Sequence, residues 1–471
     1  MRLRRPRFSW HARDKLIQPR HPARTVALLF LTAIVVGGIL LSLPQSAREE
    51  PVGWSTAFFT ATSAVCVTGL AVVDTGTVFS AFGQAVILGL IQLGGLGYMA
   101  ASTFLVLLLG RQPGIHERLL VGEALGTVTL RDAQQLLFRA VRFTLVVELV
   151  GAAILTTRFA QEPDRTFGEA LWRGVFHSVS AFCNAGFDLF GPDRFPIASL
   201  GRYQTDLIVN VTVAALIIIG GLGFVVWEEL LRYRSGKPLS LHTRLVVTVT
   251  FWLTVAGTLA ILVAEWSNPN TLAPLSPGNK LLASVFQSIS TRTAGFATLD
   301  FGGLRSITLA MMGVLMFIGG SPGGTAGGIK TTTFGVTVIA VWATLRGRPE
   351  PEVFERRLPP DLVYRSLVLV FLSLTVLIAG TFILSFTEPL GLQQAGIRTN
   401  LFVRIQYEVI SALATVGLST GITGSLSEVG RLVIMFMMFL GRLGPLTAFV
   451  ALARPPRPVP RRLAEERVPL G

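Results

Sequence analysis

The residues with the clearest chemistry are four glycines. Gly69, Gly186, Gly295 and Gly417 recur at intervals of 117, 109 and 122 residues, and each closes a short, half-apolar segment. Phe59–Gly69 reads FTATSAVCVTG, Phe176–Gly186 reads FHSVSAFCNAG and Tyr407–Gly417 reads YEVISALATVG. In these three an aromatic residue stands ten positions before the glycine, and Ser63, Ser180 or Ser411 stands six before it. The third segment, Phe286–Gly295 (FQSISTRTAG), has the same parts and one residue fewer. A near-constant period points to duplication of one unit. The triplets Val67-Thr68-Gly69, Asn184-Ala185-Gly186, Thr293-Ala294-Gly295 and Thr415-Val416-Gly417 carry no nucleophile or metal-ligand set. Their useful atoms are backbone carbonyls. Glycine admits backbone angles that other residues resist, and a ring of carbonyl dipoles replaces the hydration shell of K⁺. One such glycine alone reads equally well as a helix C-cap; four in register favour the ring. Three of the triplets depart from TVGYG, so the expectation is one good ion site near the glycines with weaker ones beside it.

Such segments need elements to hold them in a bilayer. The chain is 51% hydrophobic and 14% charged, against about a quarter charged in soluble domains, with a mean hydropathy of +0.60. Apolar runs long enough to span recur in pairs at 25–43 and 82–109, 136–157 and 206–231, 243–264 and 306–345, 364–386 and 429–453. Each pair brackets one glycine segment that is too short to cross. The expected fold is therefore an all-α polytopic membrane protein with four helix–pore-loop–helix repeats around one central pore, made of eight spans and four re-entrant pore helices. The units divide as a basic N-terminus (1–24), repeat 1 (25–110), repeat 2 with its preceding loop (111–231), repeat 3 (232–345), repeat 4 (346–453) and a tail (454–471). Irregular backbone at membrane depth is tolerated only where it is buried in protein or lines water.

The net charge of +14 could mean nucleic acid, but the arginines sit mainly in alternate loops. Arg111, Arg118, Arg139, Arg142, Arg232, Arg346, Arg356 and Arg454 share the side of the basic N-terminus, whereas Asp74, Asp188, Asp300, Glu388 and Glu428 lie near the glycines. That is the positive-inside distribution, with both termini cytoplasmic and the short segments entering from outside. Cys66 and Cys183 lie in apolar segments, and the five histidines read as scattered among different loops, so neither a disulfide framework nor a zinc site is expected.

Two further stretches are gate candidates. Gly319, Gly320, Ser321, Pro322, Gly323, Gly324, Thr325, Ala326, Gly327 and Gly328, followed by Ile329 and Lys330, interrupt the second span of repeat 3. So many glycines and a proline cannot continue a helix, and Ile329 spoils the phosphate-loop spacing. A movable intramembrane loop is the better reading. Arg442, about a dozen residues into the last span, either faces the pore, as a barrier and a partner for the glycine loop, or sits near the inner interface. Gly94-Gly95-Leu96-Gly97 and Gly220-Gly221-Leu222-Gly223 read as sites of close helix packing. Arg292 is expected to point away from the pore.

At these residues the chain resembles the Trk/Ktr/HKT superfamily of potassium transporters, and is most like the bacterial Ktr-type membrane subunit. The resemblance covers about residues 25–453 and rests on the four glycine segments, on GGSPGGTAGGIKTTTFG and on GRLGP. Eight spans without an additional N-terminal pair favour the Ktr-type over the Trk-type subunit. The resemblance implies a homodimer in the bacterial inner membrane with one pore per subunit, and a KtrA-like cytoplasmic ring of nucleotide-binding regulatory subunits. It also implies that 319–333 is the intramembrane gate loop with Arg442 as its counterpart. K⁺ is the expected cargo, no covalent cofactor is expected, and Na⁺ as activator or coupled ion stays open. The rival classes are a Trk-type subunit and a Na⁺- or H⁺-coupled alternating-access transporter. An enzyme is not indicated, because no catalytic cluster stands within the apolar runs.

Overall fold

In the computed structural model the described residues are 22–109, 130–163, 165–191, 199–233, 238–395, 397 and 400–444. Most of the expected basic N-terminus, the loop from 111 to 129, Asp193, the end of the last span and the tail 454–471 lie outside them. The described chain is helical: α1 (Pro22–Leu41), α2 (Trp54–Val65), α3 (Thr75–Val78), α4 (Ala81–Leu109), α5 (Leu130–Phe159), α6 (Phe167–Phe182), α7 (Leu207–Leu222), α8 (Phe224–Tyr233), α9 (Leu241–Glu265), α10 (Pro277–Ser290), α11 (Ser306–Phe317), α12 (Thr331–Leu345), α13 (Pro360–Thr387), α14 (Pro389–Gln394), α15 (Leu401–Leu413) and α16 (Glu428–Leu443). A two-stranded hairpin, β1 (Glu352–Val353) and β2 (Arg356–Arg357), joins α12 to α13, a turn that the polar loop sequence did not announce.

The four helices that carry the repeated pattern, α2, α6, α10 and α15, have only 12 to 16 residues. Local sequence sets where two of them begin. Thr166 and Glu169 form a reciprocal capping box at α6, and Ser276 caps α10 with Pro277 as its first residue. Each short helix packs between neighbours in a cyclic order. The helix after one packs on the next: α4 on α6, α7 on α10, α11 on α15, and α16 back on α2. The buried core follows these contacts, with Phe59, Phe176, Phe286 and Tyr407 all at or below 2% exposure. Those four are the aromatic residues of the repeated pattern, so the periodic aromatics are packing residues.

The outward faces of α1, α9 and α13 are apolar. Leu28, Leu29, Phe251, Trp252, Val263, Phe371, Ile378 and Phe382 are exposed on α1, α9 and α13. A face this apolar suits hydrocarbon rather than water. By length and composition Phe138–Phe159, α9 and α13 can cross a bilayer; α7 and α8 qualify together, and Val26–Leu41, Ala81–Gly97, α11 and α12 are shorter apolar helices.

One expected span needs correction. Residues 206–231 do not form a continuous helix: α7 and α8 meet at 100°. Gly223 between them has φ +90°, in the left-handed region that glycine alone enters at low cost. The freed N–H of Phe224 bonds to the carbonyl of Gly323, so the bend is satisfied by the glycine-rich segment rather than by its own helix. Gly220-Gly221-Leu222-Gly223 is thus a helix break and not only a packing site. Another correction concerns two histidines: His177 lies fully buried on α6 and His242 lies in the first turn of α9, neither in a loop.

Candidate functional site

The site begins where the four short helices end. After α2, α6 and α15 the N–H of the residue before the glycine bonds to the serine carbonyl five residues back: Thr68 to Ser63, Ala185 to Ser180, and Val416 to Ser411. In the third segment Ala294 bonds to Ser290, four residues back, which accommodates its missing residue. The chain then turns sharply. Val67, Asn184, Thr293 and Thr415 have φ between 50° and 67°, and the glycines two residues later have φ of 68° to 94°. Dihedrals of alternating hand place successive peptide groups on one side of the chain. The serine hydroxyls then divide. Ser63 and Ser411 accept from the N–H of Gly69 and Gly417, whereas Ser180 and Ser290 donate to the carbonyls of Phe187 and Phe296.

These turns meet. A Cβ on Gly69 would stand 2.3 Å from the carbonyl oxygen of Ala185, one on Gly186 2.8 Å from the Cα of Gly295, one on Gly295 2.5 Å from the carbonyl oxygen of Val416, and one on Gly417 2.1 Å from that of Thr68. The four glycines therefore form a closed ring in chain order, with backbone against backbone and no room for a side chain. The C-terminal, partly negative ends of the four short helices stand beside it.

A cavity of about 460 Å³ opens on one side of the ring, lined by the four glycines and by Asp74, Asp188 and Asp300. Burial pushes the Asp188 carboxyl up to about 7, helped by the facing negative charge of Asp74 and opposed by the N–H of Phe190. Arg404 also lines this cavity and donates to the carbonyl of Thr420.

The glycine-rich segment lies on the opposite side of the ring. The helix stops at Phe317, as so many glycines require, and the chain returns so that Ile318 and Ile329 form an isolated parallel bridge. Ser321 and Thr325 donate their N–H groups to Gly221 and Gly220. The Thr325 hydroxyl bonds to the carbonyl of Phe182 at 3.0 Å and meets the Asn184 amide at 3.3 Å, and Gly327 N–H bonds to Thr293 Oγ1. Lys330 Nζ donates to the carbonyl of Ala326 at 2.6 Å. Arg442 is 1% exposed, enclosed by protein on all sides. Its guanidinium bonds to the carbonyl of Thr325 at 2.6 Å and of Gly94 at 2.7 Å. It stands in register with Gly95, Gly221 and Gly320, one residue after Gly441, just as they follow Gly94, Gly220 and Gly319. A Cβ on Gly94, Gly220 or Gly441 would lie within 2.0 Å of the carbonyl ending a short helix, so these glycines do allow close packing. Arg292 is buried between α7 and α9, bordering a small void with Ile217, Thr250, Asn184 and Ser321.

The 6–458 stretch matches the family model described as TrkH, cation transport protein. The chain belongs to this family. It is 42% identical to the Ktr system potassium uptake protein B of Bacillus subtilis over 433 residues, covering 92% of this chain and 93% of that one. It is 36% identical to the potassium/sodium uptake protein NtpJ of Enterococcus hirae, with 92% of each covered, and 37% identical to the Ktr system potassium uptake protein B of Vibrio alginolyticus, with 92% of this chain and 91% of that one covered. The crystal structure of the potassium transporter TrkH from Vibrio parahaemolyticus has the same fold: TM-score 0.71 at 17% identity, over 93% of this chain and 86% of that one. Membership with these exposed apolar helices makes the chain a multi-pass membrane protein of the transporter family.

Sequence reasoning missed a buried polar group behind the second segment. Glu148 on α5, 5% exposed, takes a bond from Gln92 Nε2 at 3.1 Å, and Cys183 Sγ donates to Gln92 Oε1 at 3.5 Å. An acid inside an apolar run was the available signal, and the count of net charge concealed it.

Proposed function

We propose that the protein is the membrane-embedded, K⁺-translocating subunit of a Ktr-type potassium uptake system. The four repeats surround one pore. Its filter is Val67-Thr68-Gly69, Asn184-Ala185-Gly186, Thr293-Ala294-Gly295 and Thr415-Val416-Gly417, and its gate is 319–330 with Arg442. The closed ring of four glycines carries this reading, because among the described residues it is where four carbonyl-bearing turns meet and could surround a dehydrated ion. The Ser180 and Ser290 bonds support a single strong site: they draw the Phe187 and Phe296 carbonyls toward the helices, so the level beyond the glycines has fewer carbonyls to offer.

K⁺ enters from the acidic cavity, where carboxylates raise the local cation concentration, and sheds water at the ring. Moving one charge across 100 mV releases about 2.3 kcal/mol, enough to drive uptake. Below the ring the glycine segment closes the path, and the Arg442 cation adds an electrostatic barrier until the segment moves. The relatives named as parts of a Ktr system support a further component beside this subunit; in this reading the chain is a homodimer docked on a cytoplasmic nucleotide-binding ring, with both termini on that side of a bacterial inner membrane. The name of NtpJ supports testing Na⁺ as activator or coupled ion. The test is growth of a K⁺-uptake-deficient host on limiting K⁺. The wild-type chain, with a Ktr-type regulatory partner, restores growth; Gly417→Ser does not, and deletion of 321–328 leaves ⁸⁶Rb⁺ flux ungated. Growth restored equally by Gly417→Ser overturns the proposal.

A further inference from the structure

One position on the four short helices recurs in register and is absent from the filter and the gate. It directly follows the buried aromatic and is occupied by Thr60, His177, Gln287 and Glu408. All four are buried, at 2% exposure or less. Three of them reach forward past the ring to the same place. His177 Nε2 accepts from the N–H of Leu189, and Gln287 Oε1 accepts from the N–H of Thr298. Both are the third residue beyond the glycine. The equivalent N–H in the fourth segment, that of Thr420, lies beside the Glu408 carboxylate, which also accepts from Ser419 Oγ at 2.6 Å and from Thr423 Oγ1. The Gln287 amide adds a bond from Nε2 to the carbonyl of Phe296. The first segment differs: Thr60, with a short side chain, makes no such bond among the described residues.

The chemistry fits each target. His177 Nδ1 lies 2.7 Å from the carbonyl of Arg173. That contact requires the proton on Nδ1 and leaves Nε2 free to accept, so the tautomer is set by the helix itself. A buried N–H left without a partner costs about 1–3 kcal/mol, which is why an acceptor is built in at this depth. Each bond spans the two strands of one turn, from the helix behind the ring to the chain leaving it. It therefore ties the outgoing strand, three residues beyond the glycine, to the helix behind the ring.

We infer that Gln287 and Glu408, with His177, are positioning residues for ion selection: they hold the outgoing strand so that the glycine ring keeps the spacing that favours K⁺ over Na⁺. The inference rests on the pore reading above. Its test uses the full-length protein purified into liposomes, with ⁸⁶Rb⁺ and ²²Na⁺ uptake measured side by side. The readout is the Na⁺:Rb⁺ ratio, which a loss of folded protein alone does not change. Glu408→Leu and Gln287→Met are each expected to raise that ratio about tenfold, the effect of roughly one lost hydrogen bond in the discrimination free energy. Glu408→Gln, which keeps an acceptor oxygen, is expected to stay within about twofold of wild type. If Glu408→Leu does not reach the membrane, Gln287→Met decides the matter, because it replaces a side chain by one of nearly equal length. A wild-type ratio in Gln287→Met, or an equal change in Glu408→Gln and Glu408→Leu, overturns the inference while leaving the pore intact. Absence of Rb⁺ uptake by the wild-type protein would instead refute the pore reading itself.

Discussion

Two glycine-rich stretches of irregular backbone lie deep in this helical protein, and they are held in opposite ways. The ring of Gly69, Gly186, Gly295 and Gly417 is made of four equivalent turns. Each is bonded to its own short helix and locked against the next turn, so that no Cβ fits at any of the four places. The segment from Gly319 to Lys330 comes from one repeat only. It is fastened by single bonds to neighbours on several sides: Gly220 and Gly221, Phe182, Thr293 and Arg442. Shared, redundant contacts make a rigid object, whereas a strand tethered by separate bonds can leave them together when a few are broken. Close approach is common to both, since a Cβ on Gly319 or Gly324 would also lie within 2.6 Å of a backbone oxygen; the contrast is between four equivalent turns and one segment held by scattered bonds.

The sharpest way to break the comparison is at the ring. Gly69→Ala places a methyl group 2.3 Å from the carbonyl oxygen of Ala185 at φ +90°, a combined cost of at least ~3 kcal/mol. K⁺ uptake is expected to fall about a hundredfold in a flux assay; near-normal uptake would show that the ring is not the conducting site. An intermediate effect belongs to the segment. Arg442→Ala removes two charge-assisted bonds, to Thr325 and Gly94, together worth about 3 kcal/mol. Basal Rb⁺ leak is expected to rise about tenfold with K⁺:Na⁺ preference unchanged, since the ring is untouched. A change of preference without added leak would mean that the two regions are not separate devices.

The smallest effect lies in the outer cavity. The Asp188 carboxyl titrates near 7, raised by burial and by Asp74. It is neutral below that pH and charged above it. The half-saturating K⁺ concentration is therefore expected to fall about twofold from pH 6 to pH 8, as one more carboxylate attracts cations. Asp188→Asn is expected to flatten this dependence. A pH profile identical to wild type in that variant would remove Asp188 from ion capture.

Much of this was legible along the chain. The four segments could be found because each keeps the aromatic four residues before the serine, and three keep the glycine six residues after it, the third being one residue shorter; a bond to the serine carbonyl recurs in all four. The break after Phe317 was legible because no helix tolerates Gly319-Gly320-Ser321-Pro322-Gly323-Gly324. Other features were not. Gly223 breaks its helix although Gly97, in the matching position, does not; the difference is the Gly323 carbonyl waiting to accept from Phe224. The position shared by Thr60, His177, Gln287 and Glu408 was hidden because its four side chains have nothing in common but where they reach.

By itself, then, the sequence determined which stretches are apolar, where helices must stop, and that one unit occurs four times, because these depend on local composition and spacing. The tertiary structure alone decided that the four glycines close on one another, that Arg442 lies against the glycine segment, and that α7 bends away. Those outcomes depend on carbonyl and N–H groups from distant parts of the chain finding each other. Every residue carries the same backbone groups, so no pattern of side chains can announce which of them will pair.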